Sequence, residues 1–196
     1  AQTTGSRPVI ILPDGEEREV DRPGPASILE QKDLLKLAAG LGVRAVVSEL
    51  MAVRPEVLAV ESRRLFQPQA VVITNVRVDH REEQGGTRSR TAASLSSAIA
   101  PGSTVYVPDR EFQPEFEREA RRLGATLVRV GPTPALSAPP DGGLGDGRLA
   151  AFPEDLDLAL AMTDRLGSPR ETALRGMAAA RPDFGVLKAW EADHPV

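Results

Sequence analysis

Apolar residues recur along this chain in two rhythms. Short runs such as Ala70-Val71-Val72-Ile73, Thr104-Val105-Tyr106-Val107 and Leu127-Val128-Arg129-Val130 read as strands covered on both faces. Between them, residues 55–66, 91–99 and 114–123 carry their apolar positions at helical spacing; Pro101-Gly102 closes the second and Gly124 caps the third. Another β-branched run, Ala45-Val46-Val47-Ser48, predicts a strand ending at Glu49. Upstream, VIILPDGEEREV places Asp14-Gly15 between two β-type runs and predicts a hairpin over 9–20. Ser27-Ile28-Leu29-Glu30 has capping-box spacing, and Leu34, Leu35, Leu37, Ala38 and Leu41 then predict a helix that stops at Gly42.

Strands alternating with helices of about 10 to 13 residues imply right-handed βαβ crossovers, hence an α/β fold with a mainly parallel sheet and flanking helices. After Val130 the composition shifts. The stretch GPTPALSAPPDGGLGDG has little to bury and reads as a loop or linker, followed by a helical pair over 153–166 and 169–180, each opened by a proline. The expected organisation is a main α/β domain over 1–131, a linker over 132–150 and a helical continuation over 151–196. No internal repeat is present.

Composition narrows the function classes. With 41% hydrophobic and 27% charged residues the chain is ordinary for a globular domain, and its 4% aromatics require a core of Leu, Val, Ile and Ala. A net charge of -4 without clustered Lys and Arg argues against nucleic acid. The absence of cysteine excludes disulfides and thiolate metal sites. No apolar run reaches the roughly 18 to 20 residues needed to span a bilayer, and AQTTGSRP lacks the features of a signal peptide.

In parallel α/β sheets ligands gather at the carboxyl ends of the strands. Glu49 and His80 fall just past two expected strands, and Asp79 adjoins the histidine. If those strands are neighbours, Glu49 and His80 could meet at one divalent cation with Asp79 supporting the imidazole; such donors suit magnesium or manganese better than zinc. Two plainer readings stand beside this one: Glu49 as a solvated strand cap, and Asp79-His80 as helix N-terminal polarity. Neither GxxxxGK[ST] nor GxGxxG occurs, so the residues present do not make a self-contained phosphate cradle. Thr3-Thr4-Gly5 offers only hydroxyls and a pliable backbone.

Taken in order, TTGSRPVIILPDG, RPGPASILEQ, AVVSELMAVRPE, VVITNVRVDHREEQGGT, DLALAMTDRLG and ALRGMAAARPDFG resemble the ligase subunit of capsular poly-γ-glutamate synthase, a relative of the Mur ligases and folylpolyglutamate synthase. The ELMA and TNVRVDH stretches are the most specific, and the resemblance covers nearly the whole chain. It implies a Mur ligase central-domain-like fold, related to P-loop NTPases, and an ATP-dependent amide ligase that phosphorylates a glutamate carboxylate and lets the next amino group displace the phosphate. By the same resemblance Glu49 and His80 bind Mg2+, and Asn75 and Asp79 shape the site. Thr3 and Thr4 lie near the nucleotide phosphates, and Asp155 stands near the adenine where related ligases place Asn.

That resemblance also implies glutamate or poly-γ-glutamate as substrate, membrane subunits as partners, possible homo-oligomers, and a cytoplasmic location at the inner face of the membrane. The strand and P-loop expected before AQTTG are absent from this chain, as is the segment expected after the ARPDPG stretch, in which Phe184 stands in place of a proline. These departures point to a fragment of a longer ligase, inactive in isolation. The rival readings are an assembly or regulatory module that has lost catalysis, and a Mur-like ligase for another amino acid.

Overall fold

The computed structural model of the protein describes residues 1–3, 8–22, 24–133 and 153–180. Its first element is the expected hairpin: β1 (Val9–Ile11) pairs antiparallel with β2 (Glu17–Glu19), with Val9 opposite Glu19. Asp14 accepts from the Glu16 amide at 3.0 Å, and Gly15 takes φ +89, which a residue with a Cβ resists. Helix α1 (Glu30–Gly40) follows. One half of the capping box forms, with the Glu30 carboxylate accepting from the Ser27 amide at 2.9 Å. The serine hydroxyl takes the Leu29 amide at 3.3 Å instead of an amide deeper in the helix.

The sheet is three-stranded and parallel. Strand β3 (Ala70–Val72) pairs with β4 (Thr104–Pro108), which pairs in turn with β5 (Thr126–Val130), so that Val71, Val105 and Leu127 stand level. Helix α2 (Pro55–Val60), continued by a π-helical turn over Glu61–Phe66, leads into β3. The short α3 (Arg81–Gln84) and α4 (Arg88–Leu95) connect β3 to β4, and α5 (Pro114–Arg122) connects β4 to β5. Thr87 caps α4 by accepting the Arg90 amide, so this helix begins three residues ahead of the expected Thr91.

Val71, Ile73, Val105 and Val107 form one core with Leu58, Val76, Ala92, Ile99 and Phe116. The near absence of aromatics leaves Phe116 as its largest fully buried side chain. Helices α6 (Pro153–Arg165) and α7 (Arg170–Ala179) form the expected pair, packed through Leu160, Ala173 and Met177. The buried Asp157 of α6 accepts the Thr133 amide at 2.8 Å, tying the pair to the exit of β5.

One expectation needs correction. Residues 45–48 do not form a named strand: their ladder is a single parallel bridge, Gln2 to Ser48, and Val47 is 58% exposed. A β-branched run becomes a strand only where neighbours supply backbone partners on its edges, and among the described residues only Gln2 does so. The linker assigned to 132–150 lies almost wholly outside the described residues.

Candidate functional site

The carboxyl edge of the sheet holds a polar cleft of about 80 Å3. Thr74, Asn75 and Arg77 reach it from the exit of β3, Arg110 and Glu111 from the turn after β4, and Glu154 and Asp155 from the first turn of α6. The β3 exit is fixed by two contacts: the Ile73 amide donates to the Tyr106 carbonyl at 2.9 Å, and the Val76 amide donates to the Glu111 carboxylate at 3.0 Å. Glu111 also accepts from Arg88 at 2.8 Å, and Arg110 pairs with Glu154. Asp155 is desolvated, which holds its carboxyl above the usual range, while the positive charge of Arg77 pulls the other way. Two residues singled out by sequence, Asn75 and Asp155, thus share one cleft. At this size the cleft takes the edge of a base or a few waters, well short of the room a whole nucleotide needs.

Glu49 follows the bridged segment. Its amide donates to the Gln2 carbonyl at 3.1 Å, and its own carbonyl accepts from Gln31 Nε2 at 3.2 Å. The register of the Gln2–Ser48 bridge sets Thr3 level with Glu49. Just beyond, the loop is held from below by Glu61, which is fully buried. Its carboxylate accepts from the Met51 amide at 3.0 Å, the Ala52 amide at 2.9 Å and Gln31 Nε2 at 3.0 Å. A buried carboxyl without donors would cost several kcal/mol, and these three sources of N–H supply what water would have. Ser48 Oγ completes the network by donating to Gln31 Oε1 at 3.2 Å.

His80 stands in the left-handed region, φ 43 and ψ 53, immediately before α3, and its side chain is about half exposed. Asp79 Oδ1 accepts the His80 amide at 2.7 Å, and its other oxygen lies 3.9 Å from the imidazole Nε2. Asp79 therefore fixes the backbone of its neighbour and stands beside the ring. Gln84, at the end of α3, donates to the Val53 carbonyl at 3.4 Å and joins the loop after His80 to the loop after Glu49. Thr3 is engaged locally, its hydroxyl accepting the Val9 amide at 3.2 Å; Thr4 lies outside the described residues.

No three His, Asp or Glu side chains among the described residues group closely enough to hold a metal by themselves. The donors that Glu49 and His80 offer, a carboxylate and an imidazole, are of the kind Mg2+ or Mn2+ accepts, with the remaining positions left to phosphate and water. Sequence reasoning missed the Gln31–Glu61 pair and the ring of Arg77, Arg110, Glu111 and Glu154. The available signal for the first was a polar side chain at a core-facing helical position, Gln31 three residues before Leu34 and Glu61 three after Leu58.

Comparison with known proteins places these residues in context. No known family profile matches the chain, and no solved structure matches it either. Among curated proteins, the PGA synthase CapB of Bacillus subtilis (strain 168) is 31% identical over 189 residues, 95% of this chain and 47% of that protein. The capsule biosynthesis protein CapB of Bacillus anthracis is 30% identical over 185 residues, 94% of this chain and 39% of that protein. The chain spans about half the length, or less, of these relatives. Along nearly all of its own length the chain is a homologue of these two CapB proteins, one a PGA synthase and the other a capsule biosynthesis protein.

Proposed function

We propose that the chain is the magnesium- and nucleotide-facing part of an ATP-dependent amide ligase that polymerises glutamate through γ-linkages. The observation that carries this reading is the contact between Gln84 and Val53, each four residues beyond one of the two candidate ligands. It draws the loops after Glu49 and His80 together. The names of the relatives, a PGA synthase and a capsule biosynthesis protein, support the polymer as product. Glutamate and the growing chain are then the substrates, ATP the co-substrate, and membrane subunits and further copies of the chain the expected partners. Among the described residues no helix is long and apolar enough to cross a membrane.

In this reading a carboxylate oxygen of the acceptor attacks the γ-phosphorus of ATP, and the bond to the bridging oxygen breaks to release ADP. The amino nitrogen of the next glutamate then attacks the acyl carbon, phosphate leaves with the oxygen, and the nitrogen sheds a proton to solvent. Charge develops on phosphoryl oxygens in the first step, where Mg2+ held by Glu49 and His80 would offset it. Asp79 keeps His80 in place. Asn75 and Asp155 would meet the edge of the base, and Thr3 would lie toward the phosphates.

The test is glutamate ligation by a chain long enough to include a phosphate-binding loop, with the acyl phosphate trapped by hydroxylamine. Glu49→Ala and His80→Ala should each reduce hydroxamate formation about a hundredfold. Unchanged activity in Glu49→Ala would overturn the reading and favour an assembly module, for which Asp155 in the place of an Asn already speaks. Robust turnover by residues 1–196 alone would overturn the requirement for an outside phosphate loop, and ligation of a different amino acid in preference to glutamate would redirect the substrate assignment.

A further inference from the structure

We propose that Glu61 is a positioning residue: it fixes the loop that presents Glu49, and through that loop it sets the affinity of the site for a divalent cation. The inference rests on the magnesium reading above and adds a residue to it. Glu61 cannot touch a ligand in the cleft, since its side chain is fully buried. What it touches is the backbone immediately after Glu49. Both of its oxygens take the Met51 amide, at 3.0 and 3.1 Å, and one also takes the Ala52 amide at 2.9 Å.

Gln31 locks the same assembly from the other side. Its Nε2 bridges the Glu61 carboxylate at 3.0 Å and the Glu49 carbonyl at 3.2 Å, so the backbone on both sides of the Glu49–Leu50 link is held by one buried carboxyl–amide pair. These contacts cross 30 residues in sequence for Gln31 to Glu61 and 18 for Gln31 to Glu49. Leu50 and Ala52 pack on the core at the same place, which leaves the loop few ways to relax.

The backbone around Glu61 is itself unusual. Glu61 opens the π-helical turn, which closes where the Gln67 amide reaches the Ser62 carbonyl at 2.8 Å and Gln67 adopts φ 46. Single π turns within α-helices occur often at functional sites, because the inserted residue re-aims one side chain relative to the regular helix. Here the turn begins at the carboxylate that reaches across to residues 51 and 52. A group needed only to fill the core would more cheaply be apolar; a buried acid that takes two successive backbone amides of one loop, with Gln31 as its remaining donor, specifies where that loop sits.

The test is Mn2+ binding by the chain with ADP present, followed by water-proton relaxation, for wild type, Glu49→Ala, Glu61→Gln and the double variant. Gln at position 61 keeps the shape but turns an NH2 toward backbone N–H groups. Glu61→Gln should weaken Mn2+ about three- to tenfold and speed hydrogen exchange at the Met51 and Ala52 amides. In the Glu49→Ala background it should have no further effect on Mn2+, because it acts only through Glu49. If Glu61→Gln does not fold, Gln31→Met, which loses both Nε2 contacts, should show the same pattern. A Glu49→Ala variant that binds Mn2+ like wild type overturns the magnesium reading and this inference with it. Weakening by Glu49→Ala, together with either no effect of Glu61→Gln or a full additive effect in the double variant, overturns this inference alone.

Discussion

Arg63 donates to Glu119 at 2.8 Å and, through Nε, to the Ile99 carbonyl at 2.8 Å, so one guanidinium joins the π-helical turn before β3 to α5 and to the exit of α4. Both side chains are about four-fifths covered, and the other cation beside Glu119, Arg122, lies on α5 itself. Replacing Arg63 by Ala leaves a buried carbonyl and a half-satisfied carboxylate. The expected cost is about 1–2 kcal/mol in urea unfolding at neutral pH.

The same acid predicts a pH dependence. The hydrogen bond from Arg122, followed by that from Arg63, holds the Glu119 carboxyl below its ordinary value against the opposing effect of burial. A lowered folded pKa contributes stability above the unfolded value of about 4.3, and that contribution is lost as pH falls through the folded pKa. Glu119→Gln should therefore melt below wild type at pH 7, with the gap closing as the pH falls below the unfolded value and through the folded one. A gap that stays constant over that range would show that the ionised form carries none of the effect.

Phe116 is fully buried in a core otherwise made of aliphatic side chains. Phe116→Ala opens a cavity that Ile99, Val105 and Val107 cannot fill without moving backbone. A loss of about 3–5 kcal/mol is expected, enough to unfold a marginal domain at moderate temperature. Phe116→Leu, measured by the same thermal melt, should lose much less.

Asp155 has the opposite sign. Burial raises its carboxyl pKa despite the charge of Arg77, so the ionised form is disfavoured in the folded protein. Its contribution is most favourable below the unfolded pKa and is lost as pH rises through the folded one. Asp155→Asn should accordingly raise the melting temperature at pH 7 and leave it unchanged near pH 3. If the cleft takes the edge of the adenine as proposed, the added amide donor should also tighten nucleotide binding in the same variant. A melting temperature at pH 7 equal to or below that of wild type would mean that the desolvation of Asp155 does not act on stability.

The parallel sheet was legible because β3, β4 and β5 are continuous β-branched runs separated by helices with their own proline and glycine punctuation. AVVS at 45–48 has the same local pattern, and nothing in it tells how many neighbours the backbone will find; with one bridge to Gln2 it stays outside the sheet. The site residues divide in the same way. Asn75 and Asp155 were each visible as a polar position in a motif, but their meeting in one cleft depends on α6 returning to the edge of β3 and β4. Arg77, Arg110, Glu111 and Glu154 are ordinary charges until that return is made. Gln31 and Glu61 face each other over 30 residues, and local periodicity carries only the hint that two polar side chains occupy core-facing positions.

His80 separates the demands of stability from those of the site. Its left-handed backbone, φ 43 and ψ 53, costs a residue with a Cβ about 1 kcal/mol and costs glycine almost nothing. Asp79 holds the strained amide at 2.7 Å, and the Glu83 and Gln84 amides both return to the His80 carbonyl, at 3.0 and 2.8 Å, so the conformation is imposed by its surroundings. His80→Gly should therefore raise stability by about 0.5–1 kcal/mol relative to His80→Ala, read from urea unfolding. If the imidazole holds Mg2+, both variants should lose Mn2+ affinity equally, whatever their difference in stability. A glycine variant that is stabilised yet keeps wild-type Mn2+ binding would leave His80 as a strained helix start with no part in the metal site.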